Sequence, residues 1–160
     1  MSKKIAIAAD HAGYVEKEQV KKTLDSLGIE YDDFGTASTD PVDYPEFAKK
    51  VADGVARGDY DQGLLVCGSG TGMAIAANKV PGVRAAVAWN EDIARLAREH
   101  NDANVLSLAA RFTSPDEIDK IVKAWLAAKF DGGRHTRRVE MIAEIEKEEL
   151  QSNLASGTRH

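Results

Sequence analysis

The chain has 160 residues, 43% hydrophobic and 29% charged, the balance of one globular domain long enough to bury a core. Its net charge of -5 gives no electrostatic support to a role on nucleic acid or an anionic membrane, while a local basic pocket for a phosphorylated metabolite stays compatible with it. Cys67 is the one cysteine, so no intramolecular disulfide can form. The opening MSKKIAIAADHAG has an apolar run too short for a signal peptide or a membrane span, and the cytosol is the expected compartment.

In chain order, five short runs read as strands, at 5–9, 30–34, 63–67, 84–88 and 105–109. Most are continuously apolar, the pattern of strands buried on both faces of a parallel sheet; the second is more polar and is expected near an edge. Between them the apolar spacing becomes helical. Val20, Leu24 and Leu27 share one face, as do Phe47, Val51 and Val55, and a helix is expected at 71–79. Ile118, Ile121, Val122, Trp125 and Leu126 follow Ser114-Pro115, which read as N-cap and first helical residue. A last helix, about 135–149, follows Gly132-Gly133, and residues 151–160 are expected to form a loose polar tail outside a 1–150 domain. The alternation predicts an α/β fold: a single doubly wound, Rossmann-like domain with a five-stranded parallel sheet flanked by helices.

Ligands of such sheets bind beyond the carboxyl ends of the strands. The first strand ends in Asp10-His11 and the third in Cys67-Gly68-Ser69-Gly70-Thr71-Gly72, and the two ends are candidate neighbours. The glycines let backbone approach a ligand closely, and the following helix start favours an anion, either a phosphate or an oxyanion formed in a reaction. The plainer reading is a tight strand–helix turn. A dinucleotide fingerprint would need glycine at Met73, and a cysteine phosphatase would need arginine there. Cys67, at the strand end before those amides, is expected to be favoured as thiolate and to serve as base or nucleophile, against the commoner role of a small buried hydrophobe.

Asp10 is either a crevice carboxylate or a cap on the next helix, and His11 a crevice or solvated loop residue. His100 closes the apolar face of Ile93, Leu96 and Ala97, but its place just before Asn101-Asp102-Ala103-Asn104 and the last strand favours the rim of the site. Arg134 and Arg138 lie one helical turn apart and are able to grip one phosphate; the alternative is a solvated basic patch, and Arg137 points elsewhere. The histidines and the cysteine are scattered without metal-site spacing.

Together these segments resemble the type B ribose-5-phosphate isomerases and related galactose-6-phosphate isomerase subunits, over about residues 4–149. The matching pieces also include Val42-Asp43-Tyr44-Pro45, Ile75-Ala76-Ala77-Asn78-Lys79 and Gly133-Arg134-His135. The resemblance implies a metal-free, cofactor-free aldose–ketose isomerisation of ribose 5-phosphate through a cis-enediolate. In it Cys67 matches the base, Ser69 and Asp10 contacts to sugar oxygens, and the amides of Gly68, Ser69, Gly70, Thr71 and Gly72 the enediolate cradle. His100 matches the ring-opening acid/base, and His11, Arg134 and Arg138 match phosphate contacts. Tyr44, Asn101 and Arg111 match rim positions. It further implies a homodimer or tetramer with shared active sites, in which His100, Asn101 and Arg111 reach across. One branch of the family carries its base as glutamate where Met73 stands here. The stretch Ala88-Trp89-Asn90-Glu91 departs from the family pattern and bears on substrate size. A hexose- or tetrose-phosphate isomerase is the alternative within the family. A non-catalytic anion-binding regulatory domain is the alternative outside it.

Overall fold

In the computed structural model, which describes residues 3–157, strands and helices alternate as the sequence predicts. β1 (Lys4–Ala9) leads through a 3-10 turn at His11–Gly13 into α1 (Tyr14–Ser26), and β2 (Glu30–Asp33) is followed by α2 (Tyr44–Ala56). β3 (Gln62–Cys67) precedes α3 (Thr71–Ala77), and β4 (Ala85–Val87) precedes α4 (Glu91–Glu99). β5 (Val105–Ala109) precedes α5 (Pro115–Ala127), and α6 (Arg134–Ala155) follows.

The strands form one parallel sheet in the order β2-β1-β3-β5-β4. Successive strand residues face opposite sides, so helices on both sides require apolar residues at every position. Ile5, Ile7, Leu64, Val66, Leu106 and Leu108 face a core closed by α1, α4 and α5, with Trp125 fully buried. Ala6, Ala8, Leu65 and Cys67 face the other core, under α2 and α3. The polar β2 lies at the edge, where its Glu30-Tyr31-Asp32-Asp33 meets solvent.

That edge is fastened by charge. The Lys17 side chain, 1% exposed, donates from Nζ to both Asp33 carboxylate oxygens at 2.8 and 2.6 Å, and Lys21 adds a third contact at 2.9 Å. Burial opposes ionisation of Asp33, but the hydrogen bonds from Lys17 and Lys21 outweigh it and hold the carboxyl below its ordinary range.

Ser114 caps α5 as expected: its Oγ accepts the Glu117 N–H at 3.3 Å, and Pro115 opens the helix. Strand ends differ from the sequence reading by at most one residue, and two helix C-termini differ by more. α3 stops at Ala77 rather than at Lys79, because Asn78 turns its side chain to bracket Ala85. Asn78 Oδ1 accepts the Ala85 N–H at 2.8 Å, and Nδ2 donates to the Ala85 carbonyl at 3.0 Å. α6 continues to Ala155, past the expected start of the tail at 151. Its last turns are built largely from strong helix formers and meet no glycine until Gly157, whose φ of 86° ends the run. Residues 158–160 of the expected tail lie outside the described residues. Among the described residues no helix is long and apolar enough to cross a membrane.

Candidate active site

From β1 the chain crosses to β2 on one side and then to β3 on the other, so β1 and β3 are paired neighbours whose connections diverge. A crevice opens at such a switch point, beyond the carboxyl ends of the two strands. There lies a cleft of about 550 Å³, whose walls include Asp10, His11, Tyr44, Cys67, Arg111 and the residues Gly68, Ser69, Thr71 and Gly72.

Cys67 ends β3 with its side chain toward the α2–α3 side, and the Gly70 N–H donates to its Sγ at 3.2 Å. Gly70, expected as a substrate contact, is engaged on both sides within the chain. Its N–H serves the sulfur, and its carbonyl accepts the buried Ser107 Oγ–H at 2.6 Å. Its φ of 77° and a would-be Cβ only 3.2 Å from the Leu108 backbone both demand glycine. Gly72 is needed for a different reason: a Cβ there would sit 2.7 Å from the Tyr44 ring, which packs over the loop. Ser69 is exposed, and its Oγ accepts the Thr71 N–H at 3.3 Å. Met73 is fully buried in the α2–α3 core, so nothing at that position faces the cleft.

Asp10 is both cap and cleft residue. Its Oδ1 accepts the Gly13 N–H at 3.1 Å, and the side chain borders the cleft at 7% exposure. His11 is anchored rather than loose: Nδ1 accepts the Val42 N–H at 3.1 Å. With Nδ1 acting as acceptor, the ring proton sits on Nε2, which makes the other nitrogen a donor. The Val42-Asp43-Tyr44-Pro45 segment thus fixes the ring on one side and supplies Tyr44 on the other.

Arg111 departs from the expectation that it reaches across to another chain. Its N–H donates to the Gly68 carbonyl at 3.0 Å, and its guanidinium lies against Gly68, where a Cβ would meet Nη1 at 3.0 Å. It therefore brings positive charge to its own chain's cleft. Phe112, 77% exposed, and Ile75, 58% exposed, complete the cleft edge. Sequence reasoning missed both, since exposure of a large apolar residue after a strand is not encoded in local periodicity. Trp89 is exposed and is not among the cleft residues; Asn90 beside it caps α4, its Oδ1 accepting the Ile93 N–H at 2.9 Å.

His100 is not on the rim of this cleft. It caps the C-terminus of α4, just before β5 begins, whereas the glycine loop follows the end of β3. Strands in a parallel sheet all start at the same end, so the length of β5, about 16 Å at ~3.3 Å per residue, separates the two levels. Asn101 sits beside it. The rest of that segment is structural: Asp102, at φ 47°, pairs with Arg84 and Arg98, and Asn104 Oδ1 accepts the Arg84 N–H at 2.7 Å.

The start of α6 joins His100. The Asp131 N–H donates to the Glu99 carbonyl at 3.0 Å, and the His135 ring stacks on His100 with centroids 4.2 Å apart and planes at 12°. Arg134 and Arg138, both exposed, flank His135 and are two of the charges that disfavour its protonation. Within one chain there are thus two groupings, a thiol-bearing cleft and a basic histidine pair. His100, Asp131 and His135 also bring potential metal-ligand atoms within 4.8 Å of one another, a cluster that sequence spacing did not reveal. Near-parallel rings aim their lone pairs side by side rather than at one point, and the two neighbouring guanidinium groups oppose a cation. We assign no metal there.

The family model for Ribose/Galactose Isomerase matches residues 5–142. Ribose-5-phosphate isomerase B of Escherichia coli is 46% identical over 145 residues, covering 91% of this chain and 97% of the relative. The structure of Clostridium thermocellum ribose-5-phosphate isomerase B superposes with a TM-score of 0.89 at 51% identity, over 91% of this chain and 98% of that one. That of the Mycoplasma genitalium ribose-5-phosphate isomerase B with bound ribulose-5-phosphate gives 0.88 at 45% identity, over 92% and 99%. With this coverage, the agreement in sequence and fold leaves one conclusion: the chain belongs to the ribose/galactose isomerase family.

Proposed function

We propose that the protein interconverts ribose 5-phosphate and ribulose 5-phosphate, with Cys67 as the base that carries the proton between C2 and C1. The observation that carries this reading is the sulfur's place: it ends a central strand at the switch point, beside an anion-binding loop, with Asp10, His11 and Arg111 in the same cleft. The relatives named as ribose-5-phosphate isomerases, one of them holding ribulose-5-phosphate, support the pentose over other sugars.

In the forward direction the thiolate removes the C2 proton of the open-chain aldose, and the electron pair moves through the C1–C2 bond onto O1. The resulting enediolate lies against the amides of Gly68, Ser69 and Gly72, preorganised donors of the kind worth about 3 kcal/mol each. The thiol then returns the proton to C1, while Ser69 and Asp10 serve the exchange of the proton between O2 and O1. His100 opens the furanose by taking the C1 hydroxyl proton and protonating the ring oxygen. His11, Arg134 and Arg138 hold the phosphate, whose binding aligns C2 over the sulfur.

His100 and Cys67 lie at opposite ends of the sheet of one chain, so one substrate is served by both only if His100 comes from a second copy. This supports a homodimer whose sites each combine one chain's cleft with the other's His100, Asn101, Arg134 and Arg138. Arg111 is then a cleft residue of the Cys67-bearing chain.

The reading is tested by turnover of the purified protein on ribose 5-phosphate, hexose 6-phosphates and an aldotetrose phosphate, each with EDTA present. Turnover highest on ribose 5-phosphate and undiminished by EDTA is expected. A preference for a hexose phosphate would move the protein elsewhere in its family, and no turnover on any of them would point to a binding domain.

A further inference from the structure

His135 has no part in the reaction as written, yet its ring covers that of His100 at 4.2 Å and 12°. The stack is set by backbone. Gly132 and Gly133 have φ of 68° and 54°, the Asp131 N–H is tied to the Glu99 carbonyl, and the His135 N–H donates to the Gly132 carbonyl at 3.0 Å. The two rings therefore meet face to face from the end of one helix and the first turn of another. A side chain at a helix C-terminus otherwise keeps its rotamer freedom, and an acid/base group loses rate when its nitrogen wanders from the atom it serves.

We propose that His135 is a positioning residue for His100, a flat platform that fixes the imidazole plane for ring opening. The proposal rests on the ring-opening role given to His100 above. The groups facing the pair are Arg134 and Arg138 from α6 and Asp131 from the preceding turn; Glu99, next to His100 in the chain, is engaged by Arg95 at 2.6 Å. Partial desolvation first, then His100 and Arg134, hold His135 below the ordinary histidine range, with Asp131 pulling the other way. Two stacked imidazolium rings repel, so a proton on His100 disfavours one on His135.

The test compares wild type, His135→Ala and His135→Phe on ribose 5-phosphate and on an aldose phosphate that cannot cyclise, and follows the His135 ring by NMR titration in wild type and His100→Phe. His135→Ala should lose about 10-fold or more in kcat/KM on ribose 5-phosphate. It should lose much less on 4-deoxyribose 5-phosphate. That aldose stays open-chain, because its C4 bears no hydroxyl and its 5-hydroxyl carries the phosphate. His135→Phe keeps a flat ring and should recover most of the loss. His100→Phe should move the His135 titration upward. A Phe variant as damaged as the Ala variant would mean that His135 works through its nitrogens, and equal loss on the two aldoses that it acts outside ring opening, as a phosphate contact would; either overturns the proposal. An unmoved His135 titration overturns it as well, whatever the rates do. The NMR arm assumes nothing about catalysis. A moved titration with unchanged rates in every variant therefore sinks the ring-opening role of His100, and the platform with it.

Discussion

At the scale of single residues, the account stands on a buried thiol that is given one amide and an adjoining cleft. A structural cysteine needs neither, and Cys67 has both. Cys67→Ala should therefore keep the fold and substrate binding while losing about 100-fold or more in turnover, the usual worth of a positioned base. Retained exchange of the substrate C2 proton with solvent would assign the base elsewhere. The arginines give a second residue-level expectation. A phosphate has no reacting atom, so Arg134→Ala and Arg138→Ala should each cost about 1.5–3 kcal/mol, roughly 10- to 150-fold in kcat/KM. Arg137→Ala should be mild, and Arg→Lys at 134 or 138 should recover only part, because lysine lacks the planar fork. Loss of the same size on unphosphorylated ribose would show that these arginines support the fold rather than the phosphate.

At the scale of elements, the sequence revealed most where one periodicity decides an element. The run of β5, apolar except for Ser107, and the Ser114-Pro115 start of α5 could be read locally, and both are as read. What stayed hidden depends on partners distant in the chain. The Ser107 hydroxyl on the Gly70 carbonyl, Arg111 over Gly68 and the His100–His135 stack are all contacts that no spacing rule encodes. His100 precedes β5, as read, and so lies at the strand's start, at the opposite end of the sheet from the glycine loop of its own chain. The edge strand carries its own prediction. β2 has little apolar surface to bury, and its Asp33 holds the buried Lys17. Asp33→Asn leaves that ammonium only its longer contact with Glu18, at 3.4 Å, and should destabilise the protein by about 1.5–3 kcal/mol. The carboxyl ionises below its ordinary range in the folded state, so its contribution is complete above about pH 4. It fades as pH falls through the lower folded value. Denaturant melts from neutral to acid pH check this: the gap between wild type and Asp33→Asn should narrow toward acid. A gap of constant size would show that packing, not charge, accounts for the loss.

At the scale of the whole molecule, one chain carries both kinds of catalytic group but on opposite ends of its sheet, so the account requires two chains to assemble one site. The most direct measurement is complementation between two inactive variants, Cys67→Ala and His100→Ala, mixed under conditions where subunit exchange is verified by mass. In a hybrid dimer the two lesions fall into the same site, and the other site receives an intact Cys67 from one chain and an intact His100 from its partner. The account predicts that each hybrid dimer regains half of the wild-type activity on ribose 5-phosphate. Verified exchange with no recovery would contradict it, because each chain would then have to supply both residues to its own site.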